Sequence, residues 1–254
     1  MVLKTIRVLL TVILTFTSAA TFAQLTNIDH VTVVKEFIDN IKNNNRQAIA
    51  AHVIYPFGRE YPLKRIKTEA EFVTRFDEVF DQNLKNIIIK SNPKKDWTQM
   101  GWRGIMLNQG DLWIDEAGDL IGVNYETLKT KNLKKSLIER DKSWLQESLR
   151  NFERPVCQIK TKTHTIRIDE MKGGTYRYTS WKIGRKMSEK PDLLIEKGEK
   201  IVEGTSRSTR FVFKNEGHEF EINFAIEEEG IDAILTITKD KEVLSEQNAV
   251  FLNY

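Results

Sequence analysis

The chain has one cysteine, Cys157, among 254 residues, which excludes an internal disulfide and any metal site built from several thiolates of one chain. Charge of one sign is lacking too. The 39 basic residues face 36 acidic ones, for a formal net charge of +3, and a chain so nearly balanced has no global attraction for nucleic acid. Long apolar runs are scarce. The one that stands out, residues 8–16 (VLLTVILTF), is about 9 residues long, against the roughly 20 that a membrane-spanning helix needs.

That run sits where an export signal carries it. Lys4 and Arg7 precede it, small and polar residues 17–23 follow, and Thr21 and Ala23 stand as the small residues ahead of a cleavage site. The expectation is a signal peptide over 1–23, a mature chain beginning at Gln24, and an exported bacterial protein, periplasmic or secreted, with no membrane span after cleavage. Lys4 and Arg7 leave with the signal and no acid does, so the formal charge falls to +1. Without disulfides, the mature chain must be held by its own core, for which its length is ample.

Two textures follow. Val31, Val34, Phe37, Ile38 and Ile41 fall on one face of a helix that Asp29 could cap. Asn43, Asn44 and Asn45 break it, and a short helix over 46–52 precedes Tyr55-Pro56-Phe57. Thr68 and Glu71 form a capping box opening a helix with Phe72, Val73, Phe76, Val79 and Phe80 on its apolar face. Strands are expected at 102–107, 112–114 and 120–125. A lysine-rich helical segment spans 128–153, its mixed signs reading as a solvated helix. Beyond it, strands run almost to the end. Phe211 and Phe213, then Phe220, Ile222, Phe224 and Ile226, alternate with more polar neighbours, as in a sheet with one dry face. Cys157 and Ile159 lie out of phase with Ile166 and Ile168, which suggests a bulge between them. Seven or eight strands, closing into a small barrel or bent sheet, are expected.

The fold class is therefore α+β, with helices on a curved antiparallel sheet over 24–127, a helical connector over 128–154 and an antiparallel β meander or barrel over 155–254. The stretch Phe37-Ile38-Asp39-Asn40, Asn44, Asn45 and Ala48-Ile49-Ala50, with the Trp113-Ile114-Asp115 to Asn124-Tyr125 hairpin, resembles the NTF2-like (cystatin-like cone) superfamily. The resemblance covers about 100 residues. It implies a pocket between helices and sheet, and pairing of sheets into a homodimer; its members include enzymes and binding domains alike, so fold alone assigns no activity.

Within such a cone, Tyr55, Arg59, Tyr61, Trp102, Arg103, Trp113, Asp115 and Tyr125 would line an aromatic pocket with a few polar anchors; the alternative is that the aromatics fill the core. On a strand from Trp102, Gly104 and Met106 would share its face. His52 and Asp115 are the residues to consider for acid–base work. His30, His164 and His218 lack metal-pair spacing, no G-x-S-x-G elbow occurs, and Cys157 reads as a buried inert thiol. No catalytic residues, cofactor or metal are assigned. The expected function is an exported, non-enzymatic binding or interaction protein for an unknown small molecule or protein partner. Competing readings are a small hydrolase or isomerase using Asp115, His52 or Tyr125, and an inhibitor or immunity-type protein.

Overall fold

A computed structural model describes residues 30–202, 209–224 and 230–252. The signal-like segment 1–23, the capping candidate Asp29 and strand residue Ile226 lie outside the described residues. The described chain divides into a helical first half with a small sheet, one long helix, and a closed barrel.

Helix α1, His30–Lys42, buries Val31, Val33, Val34, Phe37 and Ile41. Its β-branched residues have helix propensities up to about 0.7 kcal/mol poorer than alanine, but each buried side chain contributes roughly 1.5–3 kcal/mol, so packing decides. Asn44 (φ 49°) ends the helix in the left-handed region, and the Asn45 side chain caps α2, Arg46–Ala51, by accepting from the Ala48 N–H. The capping box forms in part: Thr68 Oγ1 accepts from the Glu71 N–H, but the Glu71 carboxylate reaches past the cap to the Lys67 N–H at 2.9 Å. The single helix expected beyond it is two, α3 (Glu69–Thr74) and α4 (Phe76–Val79), broken at Arg75. Asp81 then caps α5, Gln82–Lys90, which burial of Leu84 and Ile88 holds in place.

Strands β1 (Trp97–Gln99), β2 (Ile105–Leu107), β3 (Leu112–Ile114) and β4 (Leu120–Val123) form an antiparallel sheet in that order. The strand expected from Trp102 starts only at Ile105. Gly101–Arg103 is a 3-10 turn, with Gly101 (φ 59°) and Gly104 (φ 93°) on either side of Trp102 and Arg103, so Trp102 faces solvent rather than sharing a strand face with Gly104 and Met106. One core cluster joins α1 to α5 with this sheet, from Val34, Phe37 and Phe72 to Ile105, Leu112 and Leu120.

Helix α6, Leu128–Trp144, is capped by Thr127. Thr127 and Thr130 both donate to the Glu78 carbonyl, at 3.0 and 2.6 Å, pinning the helix start to α4. The barrel follows: β5 (Arg154–Lys160), β6 (His164–Glu170), β7 (Tyr176–Lys182), β8 (Leu193–Val202), β9 (Thr209–Asn215), β10 (His218–Asn223), β11 (Ala233–Lys239) and β12 (Glu242–Phe251). The eight strands pair antiparallel in chain order, and β12 closes on β5. Its interior holds Ile159, Ile166, Tyr178, Phe211, Phe213, Ile222 and Leu235. The parity slip between Cys157 and Ile166 is the β5–β6 hairpin itself, since Cys157 pairs with Ile168 and Ile159 with Ile166; the irregularity in β5 lies earlier, between Pro155 and Cys157. No helix among the described residues is long and apolar enough to cross a membrane.

Candidate functional site

The eight residues singled out from the sequence do not come together. Tyr55 packs on the helical core, 6.3 Å from the Phe72 ring, and donates its hydroxyl to the Ala50 carbonyl; burial pushes the phenol up to about 12. Arg59 and Tyr125 line one shallow groove beside α6. The Arg59 guanidinium hydrogen-bonds Thr130 and lies 3.7 Å from Glu78, and burial, then the charge of Arg75, draws it down to about 10 against the opposing pull of Glu78. Trp102 is 69 % exposed, with the Arg103 guanidinium 5.8 Å from its ring. Trp113 sits half-buried on β3 opposite Met106 and Gly122. Asp115 shapes the β3–β4 turn by accepting from the Ala117 and Asp119 N–H groups. His52 meets Asp119, at 2.8 Å, rather than Asp115. Tyr61 alone of the eight lines a second, larger concavity.

That concavity is a cleft of about 660 Å³ between the helical half, α6 and the barrel, within the size range of small-ligand sites. One wall is α6. Leu133, Leu137, Arg140 and Trp144 recur at i, i+4, i+7 and i+11 and so form one stripe, facing the cleft. Leu133 and Leu137 are half-buried and Trp144 is 73 % exposed. The adjacent stripe of the same helix, Ile138 and Asp141, packs on the barrel wall. Opposite lie Tyr61, Pro62 and Leu63, and the floor carries Leu145, Gln158 and Met187.

Arg75 builds the opposing wall. Its guanidinium binds Glu71 at 2.8 Å and Glu78 at 2.9 Å, and donates to the backbone carbonyls of Lys64 and Arg65. The side chain of the residue at the helix break thus holds the 64–65 segment against α3 and α4. Burial opposes its charge, but the bonds to Glu78 and Glu71 outweigh burial and hold it above the ordinary arginine value.

Beneath the cleft runs a buried ionic chain. Asp141 accepts from the Gln158 amide at 3.3 Å and meets Arg167 at 2.7 Å, an ion pair rather than an aligned hydrogen bond. Arg167 also meets Asp169, and Arg177 binds the other Asp169 oxygen at 2.8 Å and the Leu149 carbonyl at 2.6 Å. Arg167 and Asp169 are fully buried. Burial, then the charge of Asp141, raises the Tyr61 phenol well above its ordinary value, so it stays protonated.

At the outer edge, Glu60 bridges Lys134 of α6 and Arg154 of β5, both at 2.6 Å. Cys157 is buried, and its thiol is pushed up to about 12 by burial and then by the charge of Asp169, which leaves it an unreactive packing residue. Sequence reading passed over the α6 stripe because the lysines around it dominate the segment, although Leu133, Leu137 and Trp144 carry the spacing. No protein-family model, curated protein or solved structure matches this chain.

Proposed function

We propose that this is an exported, non-enzymatic binding protein that holds a small ligand in the cleft between α6, the 61–64 segment and the barrel. The observation that carries the reading is the apolar stripe Leu133, Leu137 and Trp144 laid along the wall of a ligand-sized concavity. An exposed tryptophan alone would be ordinary surface. Here it stands at the mouth of a cleft walled by leucines, and its neighbours are held by buried ion pairs, which is how a preformed site is built. Export rests on the positive, apolar and small-residue zones of residues 1–23. We infer that the first half is an NTF2-like cone with its helices on a curved sheet; the shared core of α1 to α5 and β1 to β4 supports this.

Native mass spectrometry of the protein purified from the periplasm of its own host tests the proposal. A mature chain starting at Gln24, carrying a discrete adduct lost on activation, is expected. A chain retaining residues 1–23 contradicts export, and a bare chain contradicts ligand holding.

A further inference from the structure

Building on the cleft as the binding site, we infer that its ligand is an amphipathic anion: an apolar chain bearing a single negatively charged head. The charges around the cleft carry the argument. Three acids line it, and each is neutralised within the protein: Glu71 by Arg75, Glu78 by Arg75 and Arg59 together, and Asp141 by Arg167. Three cations line it as well, but Arg75 alone of them is committed to those acids. Lys64 and Arg140 are exposed and have no ion-pair partner among the described residues.

The two uncommitted cations come from opposite walls, Lys64 from the segment anchored by Arg75 and Arg140 from the α6 stripe. Arg140 sits in that stripe between Leu137 and Trp144, so one helix face presents apolar surface and positive charge side by side. A cationic ligand would be repelled by this pair, and a neutral one would gain only weaker hydrogen bonds than an ionised head. A charged head without an apolar tail would leave the leucines and Trp144 unused. An anionic amphiphile satisfies both features. Arginine and lysine at a rim act on a carboxylate, sulfate or phosphate head with little distinction, so the head is specified by charge and the tail by the cleft.

Isothermal titration with decanoate, decanol and decylamine tests this on the full mature chain, alongside the Lys64→Gln/Arg140→Gln double variant and Leu137→Arg. All three positions are exposed or half-buried, so folding is expected to survive, and far-ultraviolet circular dichroism checks it. Decanoate should bind most tightly, the glutamine pair should weaken it roughly tenfold while leaving decanol unchanged, and Leu137→Arg should weaken all binding. Equal binding of the three probes, or decanoate affinity unmoved by the glutamine pair, overturns the anionic assignment. If Leu137→Arg still abolishes binding in that case, the cleft reading stands. Absence of binding by any probe also overturns the assignment, and the native mass of the host-purified protein then decides the cleft reading separately.

Discussion

Arg167 on β6 and Asp141 on α6 meet at 2.7 Å across the seam between the barrel wall and the long helix. Arg167 shares Asp169 with Arg177, and all three are buried. The helix that walls the cleft is thereby fixed to the barrel by charges that cannot be separated cheaply.

Removing Arg167 takes the charge partner from the largely buried Asp141 and half of the cationic pairing from the fully buried Asp169. Arg167→Ala is expected to cost about 3–5 kcal/mol of unfolding free energy, because Asp169 is left with Arg177 alone and Asp141 loses its pair. Urea denaturation measures it, and a loss below about 1 kcal/mol would show that the chain contributes little.

Glu60 joins the helical half to both α6 and β5. Burial acts to raise its pKa, but the hydrogen bond from Lys134 and the charges of Lys134 and Arg154 outweigh it and hold the carboxyl below the ordinary glutamate value. A carboxyl held low in the fold stabilises the fold above its unfolded value, about 4.3, and that stabilisation is lost as the pH falls through the depressed folded value. Glu71 has the same sign, lowered first by the Lys67 N–H and then by Arg75. Stability should decline below about pH 5, and less steeply in Glu60→Gln. Because Glu60 is half-exposed, solvent screening keeps the difference small. Parallel profiles for the two proteins would remove Glu60 from the account.

Gly198 lies where β8 passes from pairing with β7 to pairing with β9. A Cβ there would come within 2.2 Å of the Phe213 ring, and Phe213 is fully buried in the barrel. Gly198→Ala is expected to destabilise by about 1–3 kcal/mol through overpacking, read from the denaturation midpoint. A neutral substitution would mean that Phe213 can move aside.

Cys157 should resist thiol reagents in the native protein at neutral pH and react stoichiometrically in urea. Its burial and raised pKa both predict this. Rapid labelling without denaturant would mean that the β5–β6 region opens readily.

Patterns carried by neighbours in the chain were legible in the sequence. The α1 face, the Thr68 cap of α3 and the inward placing of Phe220 and Ile222 each follow from a local pattern and are present, though β10 ends at Asn223, short of Phe224. The Asn215-Glu216-Gly217 turn is a hairpin with Glu216 and Gly217 at positive φ, as its residues suggest. Elements set by distant partners were not legible. The Arg75 side chain at the break between α3 and α4 reaches back ten and eleven residues to the carbonyls of Arg65 and Lys64. The Trp102 turn depends on two positive-φ glycines that a period-2 reading treats as strand. The cleft draws on residues from 61 to 187, so no window of sequence contains it. The pairing of His52 with Asp115 considered from sequence is not formed: the imidazole meets Asp119, and Asp115 Oδ1 accepts from the Ala117 and Asp119 N–H groups.

The most direct test of the central claim is the native mass of host-purified wild-type protein and of Leu137→Arg, measured side by side. The account predicts a discrete adduct on the wild type, absent from a variant that unfolds at the same denaturant concentration. The same adduct on both proteins, or on neither, would contradict a ligand held against the α6 stripe.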